Sequence, residues 1–393
     1  MRAKTALGMA LALCAAAAFG PAPQAQAADV RIVYLEQQVE RPPVLSNLDP
    51  FPEDDGLAGA RLALADNAST AKFLGHNYSM REIVVAPGED FDAAARAALT
   101  EGAGLIVAVA PAEQLLRLAD MPEARDALVI NAGAPDDILR GEACRANMLH
   151  ASPSRAMLSD GLAQFLIKRQ WDRWFLIEGE GPGDAEFAAA MRRSAAKFGG
   201  KIVAEAVWRF DADMRRDAFA EAPVFTQGPQ YDVILVADEI EDWARYLPFN
   251  TWLPRPVAGS EGLRAVAWSD VVEAWGAAQL QNRFEALAGR GMRSTDYAAW
   301  AAVRSIGEAV TRTNAADAQT LRAFMLSDAF QLAGFKGLAM NYRSWNGQLR
   351  QPIPLVHPRA LVTSAPIEGF LHERTGLDTL GTDEPETTCA AFR

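Results

Sequence analysis

Short apolar segments alternate with longer amphipathic ones along the first part of the chain. The amphipathic segments place apolar residues at helical spacing, as in Leu57, Ala60 and Leu64 and again over 93–99. Parallel strands need a crossover connection, usually a helix, so the alternation predicts a parallel α/β sheet. Four segments bounded by Gly, Pro or Asp are the candidate strands of this sheet: Val30–Leu35, Ile83–Ala86, Leu105–Val109 and Leu128–Asn131.

A second series of the same kind begins near His150. A helical pattern runs from Met157 to Leu166, and candidate strands follow at Trp174–Ile177, Lys201–Val207 and Val233–Val236. The series predicts a second doubly wound sheet, so the fold class is α/β with two parallel-sheet lobes.

The last part of the chain has a different pattern. Helical patterns through Phe284 and over Tyr297–Thr311 are followed by two extended stretches around Asn346-Gly347, a typical hairpin turn. No long low-complexity linker separates the halves, so we expect short crossings that act as a hinge. The expected first lobe comprises residues 29–149 plus 263–340, and the second comprises residues 150–262 plus 341–393.

The first 27 residues have the pattern of an export signal. Arg2 and Lys4 form a positive start, Ala6–Phe19 is apolar, and Ala25-Gln26-Ala27 is a small-residue cleavage site. The apolar stretch is shorter than the roughly 20 residues that span a bilayer. We therefore expect a soluble periplasmic protein that begins at Ala28 or Asp29.

The negative net charge of the chain excludes some classes of binding partner. The chain has 50 acidic and 38 basic side chains and a net charge of −12, and removal of residues 1–27 takes away two positive charges and leaves −14. Without a Lys/Arg-rich segment, such a chain repels nucleic acid. The acidic pair Asp54-Asp55 is interpreted as solvated surface rather than as calcium ligands.

Cleavage leaves two cysteines, Cys144 and Cys389, and two cysteines in an exported protein favour one disulfide over two free thiols. The four histidines are scattered, so no metal site is expected. The glycine-rich segment 177–184 lacks the third glycine of a dinucleotide-binding turn. The segment 258–262 matches only weakly the Gly-x-Ser-x-Gly turn that carries the nucleophilic serine of many hydrolases. We therefore expect neither enzymatic activity nor a catalytic cofactor.

Arginine and tryptophan residues occur near several predicted strand ends. Ligands of open α/β sheets bind beyond the carboxyl ends of strands. Guanidinium groups bind carboxylates, and indole rings stack on flat molecules. The residues predicted to bind ligand are Arg145, Arg155, Trp208, Arg209 and Trp268.

The chain resembles the type I periplasmic solute-binding proteins of ABC transporters, in their branched-chain amino acid-binding branch. The order of elements carries this resemblance, together with the segments 51–60 and 296–300. Four further segments are similar to the subgroup associated with alcohol oxidation that depends on pyrroloquinoline quinone (PQQ): 150–155, 275–284, 345–352 and 377–381.

The resemblance implies a monomeric, non-enzymatic protein that closes around a small ligand and delivers it to an ABC permease or to a PQQ-dependent dehydrogenase. The loops at 110–113 and 132–136 lack the hydroxyl side chains with which amino acid binders of this branch hold their ligand. PQQ or a related aromatic carboxylate is therefore the expected ligand. A branched-chain amino acid or another small aliphatic metabolite is the alternative.

Overall fold

A computed structural model describes residues 27–41, 51–209, 214–241 and 243–392. The proposed export signal lies outside these residues, apart from Ala27. The first lobe contains a five-stranded parallel sheet with strand order β2-β1-β3-β4-β5. Its elements are β1 (Asp29–Gln37), α1 (Leu57–Leu74), β2 (Asn77–Val85), α2 (Phe91–Thr100), β3 (Leu105–Val109), α3 (Ala112–Asp120), β4 (Leu128–Asn131) and β5 (Met148–His150).

The chain then enters the second lobe, where apolar strands again alternate with helices. The strands β6 to β10 pair in parallel, as expected for a doubly wound sheet. The elements are α4 (Arg155–Lys168), β6 (Arg173–Glu178), α5 (Pro182–Phe198), β7 (Lys201–Val207), α6 (Met214–Phe225), β8 (Val233–Ala237), β9 (Val257–Gly259) and β10 (Leu263–Ala265).

The next elements return to the first lobe, and the last two strands complete the second sheet. That sheet has seven strands in the order β15-β14-β10-β9-β8-β6-β7, in which β14 and β15 are antiparallel additions. The elements are α7 (Ala277–Ala288), α8 (Ser294–Thr313), α9 (Ala318–Met325), β11 (Leu332–Ala333), β12 (Ala339–Tyr342), β13 (Leu349–Arg350), β14 (Ile353–His357) and β15 (Ala360–Ala365). The predicted α/β class with two parallel-sheet lobes is confirmed.

Helices α1 and α8 pack closely against each other in the first lobe. A Cβ atom on Gly59 would lie 1.9 Å from the Asp296 carbonyl oxygen, so only glycine fits there. The Asp296 carboxylate accepts a hydrogen bond from the Gly56 backbone N–H at 2.8 Å. Two sequence segments separated by 240 residues thus meet at the starts of these helices.

Within the described ranges the chain crosses between the lobes three times: between β5 and α4, between β10 and α7, and between β13 and β14. The second and third crossings differ from the expected boundaries. β10 pairs with β9 and β14 of the second sheet, so residues 263–265 lie in the second lobe rather than the first. The predicted hairpin is present as β12 and β13, and its Tyr342 and Leu349 are buried in the first-lobe core. The third crossing therefore follows Arg350 rather than Met340.

Within the described part of the chain, no helix combines the length and the apolar character needed to cross a membrane. Cys144 and Cys389 form a disulfide with an S–S distance of 2.05 Å and a separation of 245 residues. The cross-link fastens the end of the chain beside the first crossing, where Phe392 packs against the first-lobe core.

We expect the chain that begins at Ala28 to have no free thiol when it is unfolded without reductant. Replacing both cysteines, Cys144→Ser with Cys389→Ser, should lower the free energy of unfolding by up to ~5 kcal/mol, because the cross-link restricts the unfolded chain. Denaturant unfolding of both proteins measures this loss. An unchanged midpoint would contradict it.

Candidate functional site

A cleft of about 1260 Å³ separates the two lobes. Its walls are the loops that follow the carboxyl ends of parallel strands: β1, β3 and β4 in the first lobe, and β6, β8 and β9 in the second. Loops at these ends are not occupied by strand pairing, so they are the usual ligand-binding region of open α/β sheets. The two sheets therefore present their binding edges to one shared space.

Carboxylates outnumber cationic side chains in this cleft. Ten acidic residues and five arginines are among its described lining residues, which include no lysine. The acidic residues are Glu36, Glu40, Glu53, Asp55, Asp136, Asp184, Asp238, Glu239, Glu241 and Glu261, and the arginines are Arg41, Arg155, Arg245, Arg264 and Arg293. Within the described ranges, no group of three or more His, Cys, Asp or Glu side chains has the arrangement of a metal site.

Arg155 is the one predicted ligand-binding residue that lies in the cleft. It begins α4, and its guanidinium contacts carboxylates of both lobes. Nη1 lies 3.3 Å from the Asp136 carboxylate in the first lobe and also pairs with Glu186 of the second. Nη2 lies 2.7 Å from the Glu239 carboxylate. The side chain is only 7% exposed, so Arg155 is an interlobe ion pair rather than a free carboxylate receptor.

The other four residues of that prediction are not among the lining residues of the cleft. Arg145 pairs with Asp120 at the surface, with Nη2 2.9 Å from Oδ2. Trp208 is buried against Trp243, with parallel rings 5.2 Å apart. Arg209, beside it, is exposed.

Trp268 is also buried, and its ring stacks on Tyr297 at 4.7 Å between centroids. The two tryptophans are core residues, because each buries its flat face against another aromatic ring of its own lobe. The structure therefore does not bring the predicted arginines and indoles together, and of the five residues only Arg155 lines the cleft.

Two acidic residues of the first lobe have electrostatic properties that the sequence did not reveal. Glu36 follows the buried core of β1 and accepts a hydrogen bond from the Tyr34 hydroxyl at 2.8 Å. Burial raises the pKa of Glu36 to about 6. Burial, and then the nearby Asp296 carboxylate, raise the pKa of Asp55 to about 6.

Asp55 differs from the solvated surface residue that the sequence suggested. Its side chain is 15% exposed, and Oδ1 has no hydrogen-bond partner among the described residues. Glu36 could have been found from its position, since it is an acidic residue at the end of an apolar strand. Asp55 could not, because the groups around it, Arg290, Arg293 and Asp296, come about 240 residues later in the sequence.

A second ion pair joins the lobes farther along the cleft. Arg293, directly before α8, has Nη2 4.0 Å from the Glu241 carboxylate of the second lobe and Nε 3.9 Å from Asp55. The guanidinium groups of Arg293 and Arg41 both lie over the ring of Phe51, at 4.2 and 3.6 Å from its centroid. Opposite charges thus link the two walls at two places.

Comparisons with known proteins agree with this architecture. Residues 53–220 match the family model described as periplasmic binding protein. A branched-chain amino acid ABC transporter periplasmic ligand-binding protein from Burkholderia xenovorans LB400 has a TM-score of 0.71 at 15% identity, over 93% of this chain and 100% of that one. A comparison with curated protein sequences finds no match.

Two further solved structures contain ligands. An ABC transporter substrate-binding protein from Desulfitobacterium hafniense in complex with Leu has a TM-score of 0.64 at 14% identity, over 86% of this chain and 100% of that one. A solute-binding protein of an ABC transporter from R. palustris in complex with benzoate has a TM-score of 0.63 at 13% identity, over 93% of this chain and 99% of that one. These similarities establish that the chain has the fold of type I periplasmic binding proteins.

We predict that Asp136→Asn favours an open cleft, because it weakens the ion pair that Arg155 makes across the lobes. Loss of about 1 kcal/mol would change the ratio of open to closed forms roughly fivefold. Small-angle scattering should detect a larger radius of gyration than in the unaltered protein.

Asp120→Asn is the matched control, since it breaks the Arg145 pair outside the cleft and leaves both lobe walls intact. An Asp136→Asn protein with the same radius of gyration as this control would contradict the role of the Arg155 pair.

Proposed function

We propose that the chain is a periplasmic solute-binding protein that captures a small organic molecule between its lobes and delivers it to an ABC permease. The observation that supports this most is the cleft itself, formed where the carboxyl ends of both parallel sheets face each other. The similarity to ligand-bound transporter proteins and the export signal support the same role. Such proteins bind and release their solute without changing it, so no enzymatic activity is proposed.

The charge of the cleft supports a ligand with an ammonium group. Ammonium groups donate three hydrogen bonds and are stabilised by carboxylates, of which this cleft has an excess. Asp55 Oδ1 is buried and has no hydrogen-bond partner among the described residues, so a donor that reaches it would satisfy it. Among the same residues, the Glu36 carboxylate accepts a hydrogen bond from the Tyr34 hydroxyl. An amino acid or another small amine therefore fits better than a multiply charged anion.

PQQ, the ligand that the subgroup resemblance favours, fits this cleft less well. Its three carboxylates would meet like charges, and the only predicted ligand arginine in the cleft, Arg155, already has three carboxylate partners. The quinone remains a prediction of the resemblance, as does delivery to a PQQ-dependent dehydrogenase by a monomeric carrier. The branched-chain amino acid, which was the alternative, becomes the first ligand to test.

We expect ligand-stripped protein to bind leucine in isothermal calorimetry and to release little or no heat with PQQ. Binding should also raise the thermal midpoint, since a ligand that binds only the folded state stabilises it. Tight binding of the quinone without binding of leucine would reverse this ligand assignment.

We also expect affinity for an amine to increase as the pH rises through about 6. Glu36 and Asp55 each have a pKa of about 6, so both are largely protonated and neutral at pH 5 and largely ionised at pH 7. If binding requires one of them ionised, affinity at pH 5 should be about tenfold lower than at pH 7.

Glu36→Gln removes one of these titrating groups, so it should weaken binding at pH 7 and reduce the pH dependence. Glu142→Gln, a substitution outside the cleft lining, serves as the control. An affinity that falls as the pH rises from 5 to 7 would exclude a role for these carboxylates in binding the amine.

A further inference from the structure

The ring of Phe51 lies in the cleft in contact with two cationic side chains. The Arg41 and Arg293 guanidinium carbons lie 3.6 and 4.2 Å from its centroid, within the range of cation–π contacts. Phe51 is itself a lining residue of the cleft and is only partly buried. An apolar ring from the protein thus occupies space next to the acidic groups that are proposed to bind the solute.

A guanidinium group can make ionic contacts and stack on a ring at the same time. A guanidinium donates hydrogen bonds in its plane, whereas its faces stack on flat rings. Arg293 has carboxylates of Asp55 and Glu241 within 4.0 Å. Arg41 has no hydrogen-bond partner among the described residues, and its ring contact is with Phe51. Stacking on a ring is therefore compatible with the ionic contacts that these arginines already have.

The surroundings favour a ring over an anion as the partner of these arginines. Burial and the neighbouring Arg293 guanidinium lower the pKa of Arg41, and the nearby carboxylates of Asp55, Glu241 and Glu36 partly offset this lowering. A ligand carboxylate beside Arg41 would meet these three negative charges. An uncharged aromatic ring meets no such repulsion and gains the cation–π attraction.

We propose that Arg41 and Arg293 form a ring-binding subsite of the cleft, which Phe51 fills when no solute is bound. This inference rests on the proposed solute-binding role and refines its ligand class. The solute is an amine that carries an aromatic ring, with the ring stacked on the guanidinium groups and the ammonium directed to Glu36 and Asp55. Phe51 competes with the solute ring for the same place.

The test compares benzylamine with cyclohexylmethylamine, which have the same carbon framework and the same ammonium group but differ in aromatic character. Calorimetry on ligand-stripped protein should give benzylamine at least fivefold higher affinity. Arg41→Gln should remove that preference, so that the ratio of the benzylamine to the cyclohexylmethylamine affinity falls towards one. Phe51→Ala should increase benzylamine affinity severalfold, because it removes the internal competitor.

Phe73→Ala is the matched control, since Phe73 is 90% exposed near the end of α1 and is not among the lining residues of the cleft. Thermal melts of each variant establish that it is folded. Equal affinities for the two amines, or a benzylamine affinity that Arg41→Gln and Phe51→Ala leave unchanged, would overturn the ring subsite. In that case, binding of leucine or cyclohexylmethylamine would leave the solute-binding role standing, whereas failure of all three compounds would overturn the amine assignment as well.

Discussion

The relative position of the two lobes depends on buried hydrogen bonds to the backbone of the crossings. The Gln348 side-chain amide donates to the carbonyls of His150 and Ser152, and the Gln351 amide donates to that of Ala151 at 2.9 Å. Arg140 donates to the Ser152 carbonyl at 2.8 Å. A buried carbonyl without a donor is costly, so these side chains fix the path of the first crossing. Because two of them belong to the segment that leads into the third crossing, the two crossings hold each other in place.

This arrangement also sets the geometry of the cleft. Arg140 donates to the carbonyls of Ala134 and Asp136, which belong to the loop after β4 that lines the first-lobe wall. The first crossing ends where α4 begins. Arg155, the first residue of α4, therefore lies within reach of Asp136 and Glu239. The same short stretch of chain therefore positions a binding loop, an ion pair across the cleft and the entry to the second lobe.

The two predicted ligand-binding tryptophans lie outside the cleft for one physical reason. A tryptophan near a strand end can face the core or the cleft, and the sequence pattern is the same in both cases. Trp208 and Trp268 face the core because partner rings lie there, Trp243 and Tyr297, which come from distant parts of the sequence. Arg145 has a different reason: it precedes β5, so it lies at the amino end of that strand, away from the cleft, where it pairs with Asp120.

The sequence by itself determined the α/β class, the two series of strands and helices, the hairpin around Asn346-Gly347 and the cysteine pair. These follow from local periodicity, turn residues and the small number of thiols. Only the tertiary structure decided where the second and third crossings fall and which charges face the ligand. β10 pairs with β14, about ninety residues later, and Asp55 lies beside Arg290, Arg293 and Asp296, about 240 residues later. Such long-range contacts leave no periodic pattern in the chain, because the side chains that make them are neighbours only after folding.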